Sequence, residues 1–330
     1  MNDLQTRPKR LQGTQAGRDA GIRWDLFLKT LTDRLAQPDP SFPSVRCVTR
    51  QTLVHLIGDV ANELQLPSTF PSGKRVIDHL VSMGLASDVP VEVISRAGPS
   101  RDFVLLGIQD SRESRIDPLE LLQAYDQRGV VCYFSALSYY DLTTQIPPFH
   151  HIASLTEPRP EPGAETSERV SESNEVAKRS KLGTHVFSYR GVPFYSTKRS
   201  RTSIPGVKTR VFSPATNIHI ATMEQTLLDA LQYPLRCGGP DVVLESWQQH
   251  VEKADEDLLL AYLNAIQLLP LARRVGALFE LLGFRPARQL ASYLEATKAS
   301  IREHPEMPWI PLLRGVPYSR ESAEWKVLVS

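Results

Sequence analysis

Paired cysteines are missing from this sequence. Its 330 residues include three (Cys47, Cys132 and Cys237), an odd number, far apart and without a Cys-x-x-Cys. That pattern excludes a disulfide framework and a cysteine-rich zinc site, and it fits a reducing compartment. Long apolar runs are missing too. The richest, Leu258 to Ala272, is interrupted by Asn264, Gln267 and Pro270. It falls short of the roughly 18 apolar residues that a membrane helix needs. Met1 to Ala20 is polar, without the apolar centre of a signal peptide. The expectation is a cytoplasmic protein with no membrane partner.

Motifs of the common enzyme classes are absent as well. There is no Gly-x-Gly-x-x-Gly, Walker loop, His-Glu-x-x-His or Gly-x-Ser-x-Gly. His150 and His151 are adjacent, so in a strand their rings face opposite ways and share a metal poorly. Glu224 and Asp229 stand five apart on one helix, a poor spacing for joint action, and Glu224 suits the positive helix N-terminus. No nucleophile, base and orienting group come together. The reading is therefore no enzyme, no catalytic residues, no metal and no cofactor.

Net charge is almost absent, with 38 Lys+Arg against 37 Asp+Glu, but the charges are blocked. Residues 1–50 carry nine basic and five acidic side chains. Residues 156–177 carry six Glu and two Arg. Residues 178–223 carry nine basic side chains and no acid. Blocks of this kind speak of partners more than the total does. With 41% hydrophobic and 23% charged residues, the chain is globular and long enough for about two domains.

Periodicity places the elements. Residues 1–21 read as a loose basic arm with Arg7, Lys9 and Arg10. A helix is predicted from Trp24 through Leu28, Leu31 and Leu35, ended by Pro38, Pro40 and Pro43. Thr49 caps a second helix, Arg50 to about Leu64, with Leu53, Leu56, Ile57, Val60 and Leu64 on one face. Ser72 caps a third, Gly73 to about Met83, with Val76, Ile77, Leu80 and Val81 inward and Gly84 ending it. Val89–Ser95 and Asp102–Leu106 then make a hairpin around Ala97-Gly98-Pro99-Ser100. Three helices and a hairpin predict a winged helix-turn-helix over 22–110.

A mixed α+β domain over 111–330 follows. A helix opens at Asp117-Pro118, and another is capped by Ser135. A buried-looking run, Val130–Phe134, leads into the latter, and strands are predicted at Phe149–Ser154, His185–Tyr189, Phe194–Thr197, Thr209–Phe212 and Ile218–Ala221. An acidic, disordered insertion is expected at 157–181. Thr222 to Gln225 is a capping box. From there to the C-terminus the pattern is helical and predicts a closing helical bundle.

A winged helix sets its third helix in the major groove. The candidate DNA-binding residues are then Ser72, Lys74, Arg75 and His79 on that helix, with Arg96 and Arg101 at the wing. Arg46 and Arg50, at the start of the second helix, suit the backbone. Lys and Arg supply phosphate charge and guanine contacts. The module itself is charge-neutral, six basic against six acidic residues over 44–107. A solvated helical domain or a protein-docking winged helix therefore stays open beside DNA. A second candidate surface, for nucleic acid or an acidic partner, is Lys198, Arg199, Arg201, Lys208 and Arg210, interleaved with Phe187, Tyr189, Phe194, Tyr195 and Phe212. Those aromatics also read as core. Arg273 and Arg274, adjacent on a helix, are either ion-pair partners or part of that basic surface.

Three segments carry a resemblance. Ile218 to Gly239 includes Thr222-Met-Glu-Gln-Thr-Leu-Leu-Asp-Ala230 and ends in Gly238-Gly239. Tyr133 to Leu142 includes Ser135-Ala-Leu137. Ala272 to Glu280 reads Ala-Arg-Arg-Val-Gly-Ala-Leu-Phe-Glu. In this order they resemble the AbiEi-type antitoxins of abortive-infection systems. The resemblance covers about 117–330 and places a winged helix N-terminal to it. It implies a bacterial antitoxin that represses its own promoter and counteracts a nucleotidyltransferase-like toxin. Its partners would be double-stranded promoter DNA and, functionally, the cognate toxin. The alternative is a protein-interaction module whose basic second domain binds an acidic partner without reading DNA sequence.

Overall fold

The structure is a computed structural model. It describes residues 15–36, 46–93, 99–106, 116–156, 181–213 and 216–329. The protein is mixed α+β and falls into two compact units. The first is formed by residues 1–90 and 100–115, the second by 91–99 and 116–330.

The first unit opens with α1 (Gln15–Ala36), β1 (Cys47–Thr49), α2 (Arg50–Glu63) and α3 (Gly73–Ser82). β2 (Ala86–Glu92) and β3 (Pro99–Leu106) follow. α1 starts earlier than Trp24, so part of the expected loose arm is helical. Arg7, Lys9 and Arg10 lie outside the described residues. The strands run in the order β1-β3-β2, with β1 antiparallel to β3 and Val48 opposite Val104. Thr49 does cap α2, its side chain accepting the Thr52 amide at 3.1 Å. Ser72 occupies the N-cap of α3, but its hydroxyl accepts no amide. Gly73 lets α3 approach α2 closely, since a Cβ there would sit 3.2 Å from Val54 Cα. The core gathers Phe27, Leu31, Leu53, Ile57, Val60, Val76, Ile77 and Leu80, side chains that helical periodicity puts on facing stripes.

The second unit begins with α4 (Pro118–Tyr125), β4 (Val130–Val131), α5 (Phe134–Tyr139) and β5 (His150–Thr156). β6 (Thr184–Tyr189), β7 (Val192–Ser200), β8 (Val207–Ser213) and β9 (Thr216–Ala221) follow. These strands lie in the order β6-β7-β5-β4-β9-β8. The sheet is mixed: β5 runs parallel to β7 and β4 to β9, and the other neighbours are antiparallel. The acidic stretch expected at 157–181 lies, up to residue 180, outside the described residues.

The helices α6 (Met223–Gln232), α7 (Pro240–His250), α8 (Glu256–Ile266), α9 (Leu269–Leu282) and α10 (Arg288–Glu303) then follow. Their shared core includes Leu227, Leu228, Trp247, Leu263, Leu278 and Phe279. Thr222 caps α6 by accepting the Gln225 amide. Gln225 does not return the bond; it accepts from the Gly206 amide and donates to Asp229.

Two expectations are corrected here. The chain does not end in a helical bundle alone. β10 (Ile310–Pro311), β11 (Arg320–Ser322) and β12 (Val327–Val329) close it as a three-stranded sheet in the order β10-β12-β11. Trp325, beside β12, packs over Gly276 of α9 so closely that a Cβ there would meet the indole at 2.2 Å. Nor does Ser135 cap α5. Tyr133 holds that position at φ 55 and ψ −132, a conformation that non-glycine residues enter only under strain.

Candidate functional site

The first candidate is the outer face of α3. Val76, Ile77 and Leu80 are buried, which turns Lys74, Arg75, Asp78 and His79 outward, and all four are exposed along with Ser72. The first turn of α3 therefore offers two cations and a hydroxyl beside the positive end of the helix dipole. Beside it lies a groove of about 850 Å³, bounded by Trp24, Phe70, Pro71, Ser72, Arg75 and His79.

Arg50 is placed differently from its expectation. Its guanidinium reaches Asp88 at 2.7 Å and Asp78 at 3.2 Å. It ties the start of α2 to α3 and β2, and two carboxylates already answer its charge. Arg46 is half-buried just before β1, its carbonyl accepting the Leu106 amide at 2.7 Å. Arg96 and the side chain of Arg101 lie outside the described residues.

The basic stretch of the second unit divides in two. Lys198, Arg201, Lys208 and Arg210 are exposed, on β7, on the turn after it and on β8. Arg199 is not with them. Neighbours in a strand point to opposite faces, and Arg199 is 5% exposed. It pairs with Asp229 of α6 at 2.6 Å, both side chains enclosed. Gln225 donates to the other oxygen of Asp229 at 2.9 Å. Burial opposes the charge on Arg199, but Asp229 outweighs it and holds the guanidinium's pKa above its ordinary value. Tyr133 and Tyr233 lie beside it at 5.6 and 5.7 Å. Arg236 stacks on the same two rings and donates to the Tyr133 hydroxyl at 3.1 Å and to the Lys181 carbonyl at 3.0 Å. The strained Tyr133 is thus held at the centre of two guanidiniums and a second tyrosine.

Arg273 and Arg274 also leave the proposed surface. Both are buried. Arg273 donates to the carbonyls of Trp325 at 2.8 Å, Pro308 at 2.8 Å and Lys326 at 2.6 Å. Arg274 donates to the Pro311 carbonyl at 3.0 Å. Neither makes an ion pair among the described residues; together they fasten the C-terminal sheet to α9. Sequence reading offered an ion pair or a surface patch and missed this third use.

His150 and His151 are both buried. Ser135 Oγ lies 3.2 Å from His150 Nδ1 and accepts the His151 amide at 2.9 Å. His151 Nε2–H donates to the Leu182 carbonyl at 2.8 Å. Burial lowers His150 to about 4 and His151 to about 3, so both rings are neutral at pH 7. Among the described residues, no three of His, Cys, Asp and Glu converge as metal ligands would. None of their helices is long and apolar enough to cross a membrane.

Comparison with known proteins adds little to this geometry. No protein-family model and no curated protein matches the chain. It is similar to a solved structure described as the crystal structure of RV2827C protein from Mycobacterium tuberculosis. That likeness has 13% identity and a TM-score of 0.47, over 92% of this chain and 91% of that one. At such a level neither fold nor function is carried across.

Proposed function

We propose that this chain is a DNA-binding repressor of its own promoter and the antitoxin of a two-component abortive-infection system. In this reading the first unit is a winged helix-turn-helix, with α2 and α3 as the helix pair, β2 and β3 as the wing and α3 as the reading helix. The observation that carries it is the exposure of Ser72, Lys74 and Arg75 on the first turn of a helix whose other face is buried. Reading helices present that turn to base edges and phosphates. The antitoxin half rests on the three segments that resemble the AbiEi type. They fall on α5, on β9 with α6, and on α9. The partners in this reading are promoter DNA and, functionally, a nucleotidyltransferase-like toxin. The protein acts in the cytoplasm and is not catalytic.

Footprinting on the DNA upstream of the reading frame tests it. Protection should be confined to one site and fall steeply with salt, each neutralised phosphate adding about −0.9 to the log–log slope. Replacing Lys74 and Arg75 by Ala should abolish the footprint. Protection that survives in that double variant would sink the assignment of α3.

A second reading is favoured by β8, which ends the strand order. Its Lys208, Thr209 and Arg210 are exposed, and Val211 is 79% exposed. Such an edge, with Lys198 and Arg201 in the same unit, suits an acidic protein partner. A pull-down that survives moderate salt, with no DNA shift, would favour it.

A further inference from the structure

We propose that the groove beside α3 binds a small organic anion with a flat aromatic body, an aromatic carboxylate in chemical class. Its regulatory consequence rests on the DNA-reading proposal above; the binding itself does not. The groove has a volume of about 850 Å³ and is open to solvent along much of its length. One wall is aromatic. Trp24 and Phe70 lie 5.7 Å apart, their planes tilted by 37°, and both are only half-buried. His79 meets the indole edge-on at 5.4 Å and Phe27 stacks on it at 5.5 Å, which fixes the ring in place. A planar apolar ligand would cover the exposed parts of two half-buried aromatic rings.

Arg75 also lines the groove. Arg75 is exposed and has no acidic partner among the described residues. Arg50, in the same unit, has two. A carboxylate matches the guanidinium fork with two parallel hydrogen bonds. The Ser72 hydroxyl, which caps no amide of α3, supplies a further donor. A groove lined by two aromatic rings, one guanidinium and one hydroxyl has the composition of a site for a molecule with an apolar body and an anionic head.

The ligand would occupy Ser72, Arg75 and His79, the groups assigned to DNA. Ligand and DNA would therefore exclude one another, and the anion would act as an inducer. Its effect follows from differential binding to the free and DNA-bound protein.

Calorimetry on the full chain, without DNA, tests the site with naphthalene-2-carboxylate. The expected result is saturable one-site binding in the sub-millimolar range. The neutral alcohol 2-naphthalenemethanol should bind at least tenfold more weakly. Arg75→Met should weaken the acid at least tenfold with an unchanged melting temperature. Phe70→Leu should weaken acid and alcohol together. Absence of saturable heat, equal binding of acid and alcohol, or full affinity in Arg75→Met would each overturn the site. In a gel shift, the acid should move the promoter titration of the wild-type chain to higher protein concentration. Acid binding with an unmoved shift would overturn the inducer role. Acid binding in a chain that shifts no DNA would uphold the site and overturn the DNA reading instead.

Discussion

Arg75 stands on the surface of α3 with no acidic partner among the described residues. Arg199 has its guanidinium enclosed against Asp229 at 2.6 Å, and Arg273 spends its donors on three backbone carbonyls. In the sequence all three look alike, each beside another basic residue. The difference is the element that carries them. An exposed helical turn leaves its cation free for a ligand. A central strand or a core helix must answer the charge locally, because a buried ion without a partner costs several kcal/mol. Arginine in the first unit is thus available for recognition at α3, while in the second it ties β7 to α6 and α9 to the C-terminal sheet. Arg50, held by Asp78 and Asp88, shows that the division follows local structure and not the unit alone.

The largest effect should come from orphaning the enclosed cation. Asp229→Ala should destabilise the second unit by about 3–5 kcal/mol, read as a lowered urea midpoint. Arg199→Met combined with Asp229→Leu should lose much less, since both charges go together. Equal losses in the single and double variants would remove the ion pair from this account. Next, Arg273→Ala should cost about 3 kcal/mol, because three carbonyls lose a charged donor. Hydrogen exchange should then rise across Met307–Val329 before it rises elsewhere.

Acid should separate the units further. His150 and His151 stay neutral in the fold at pH values where the unfolded chain binds protons near pH 6.5. The unfolded state then holds more protons, so stability is full above pH 6.5 and falls as pH drops toward 4. Each histidine should contribute about 2 kcal/mol of loss between pH 6.5 and 5. Urea midpoints measured along that range should fall, and His151→Gln should flatten the slope. The smallest effect on stability belongs to the exposed turn. Lys74→Ala with Arg75→Ala should change stability by less than about 0.5 kcal/mol.

Much of the first unit was legible. The Thr49 cap and the stripe of Leu53, Ile57 and Val60 are local signals, and local geometry honours them. So was the outward turn at Lys74 and Arg75, because Val76, Ile77 and Leu80 fix the inward face. The second unit was legible as elements but not as pairings. Arg199 meets Asp229 across thirty residues, and no periodicity reports such a contact. A period of two did carry a hint, since Lys198 and Arg199 cannot share a face of one strand. The closing sheet was missed because its strands are two or three residues long. Pro305, Pro308, Pro311 and Pro317 punctuate that region, and runs so short carry no pattern. The groove beside α3 was missed because Trp24 and Phe70 are 46 positions apart, and no local pattern joins them.

One measurement tests the contrast most directly. A gel-shift titration on the DNA upstream of the reading frame should compare the wild-type chain with two variants. One is Lys74→Ala with Arg75→Ala, and the other is Arg199→Met with Asp229→Leu. Random DNA should run beside the native fragment. The account predicts that the wild type prefers the native fragment, that the α3 variant loses this preference at full stability, and that the buried-pair variant keeps it. Undiminished preference in the α3 variant would contradict it.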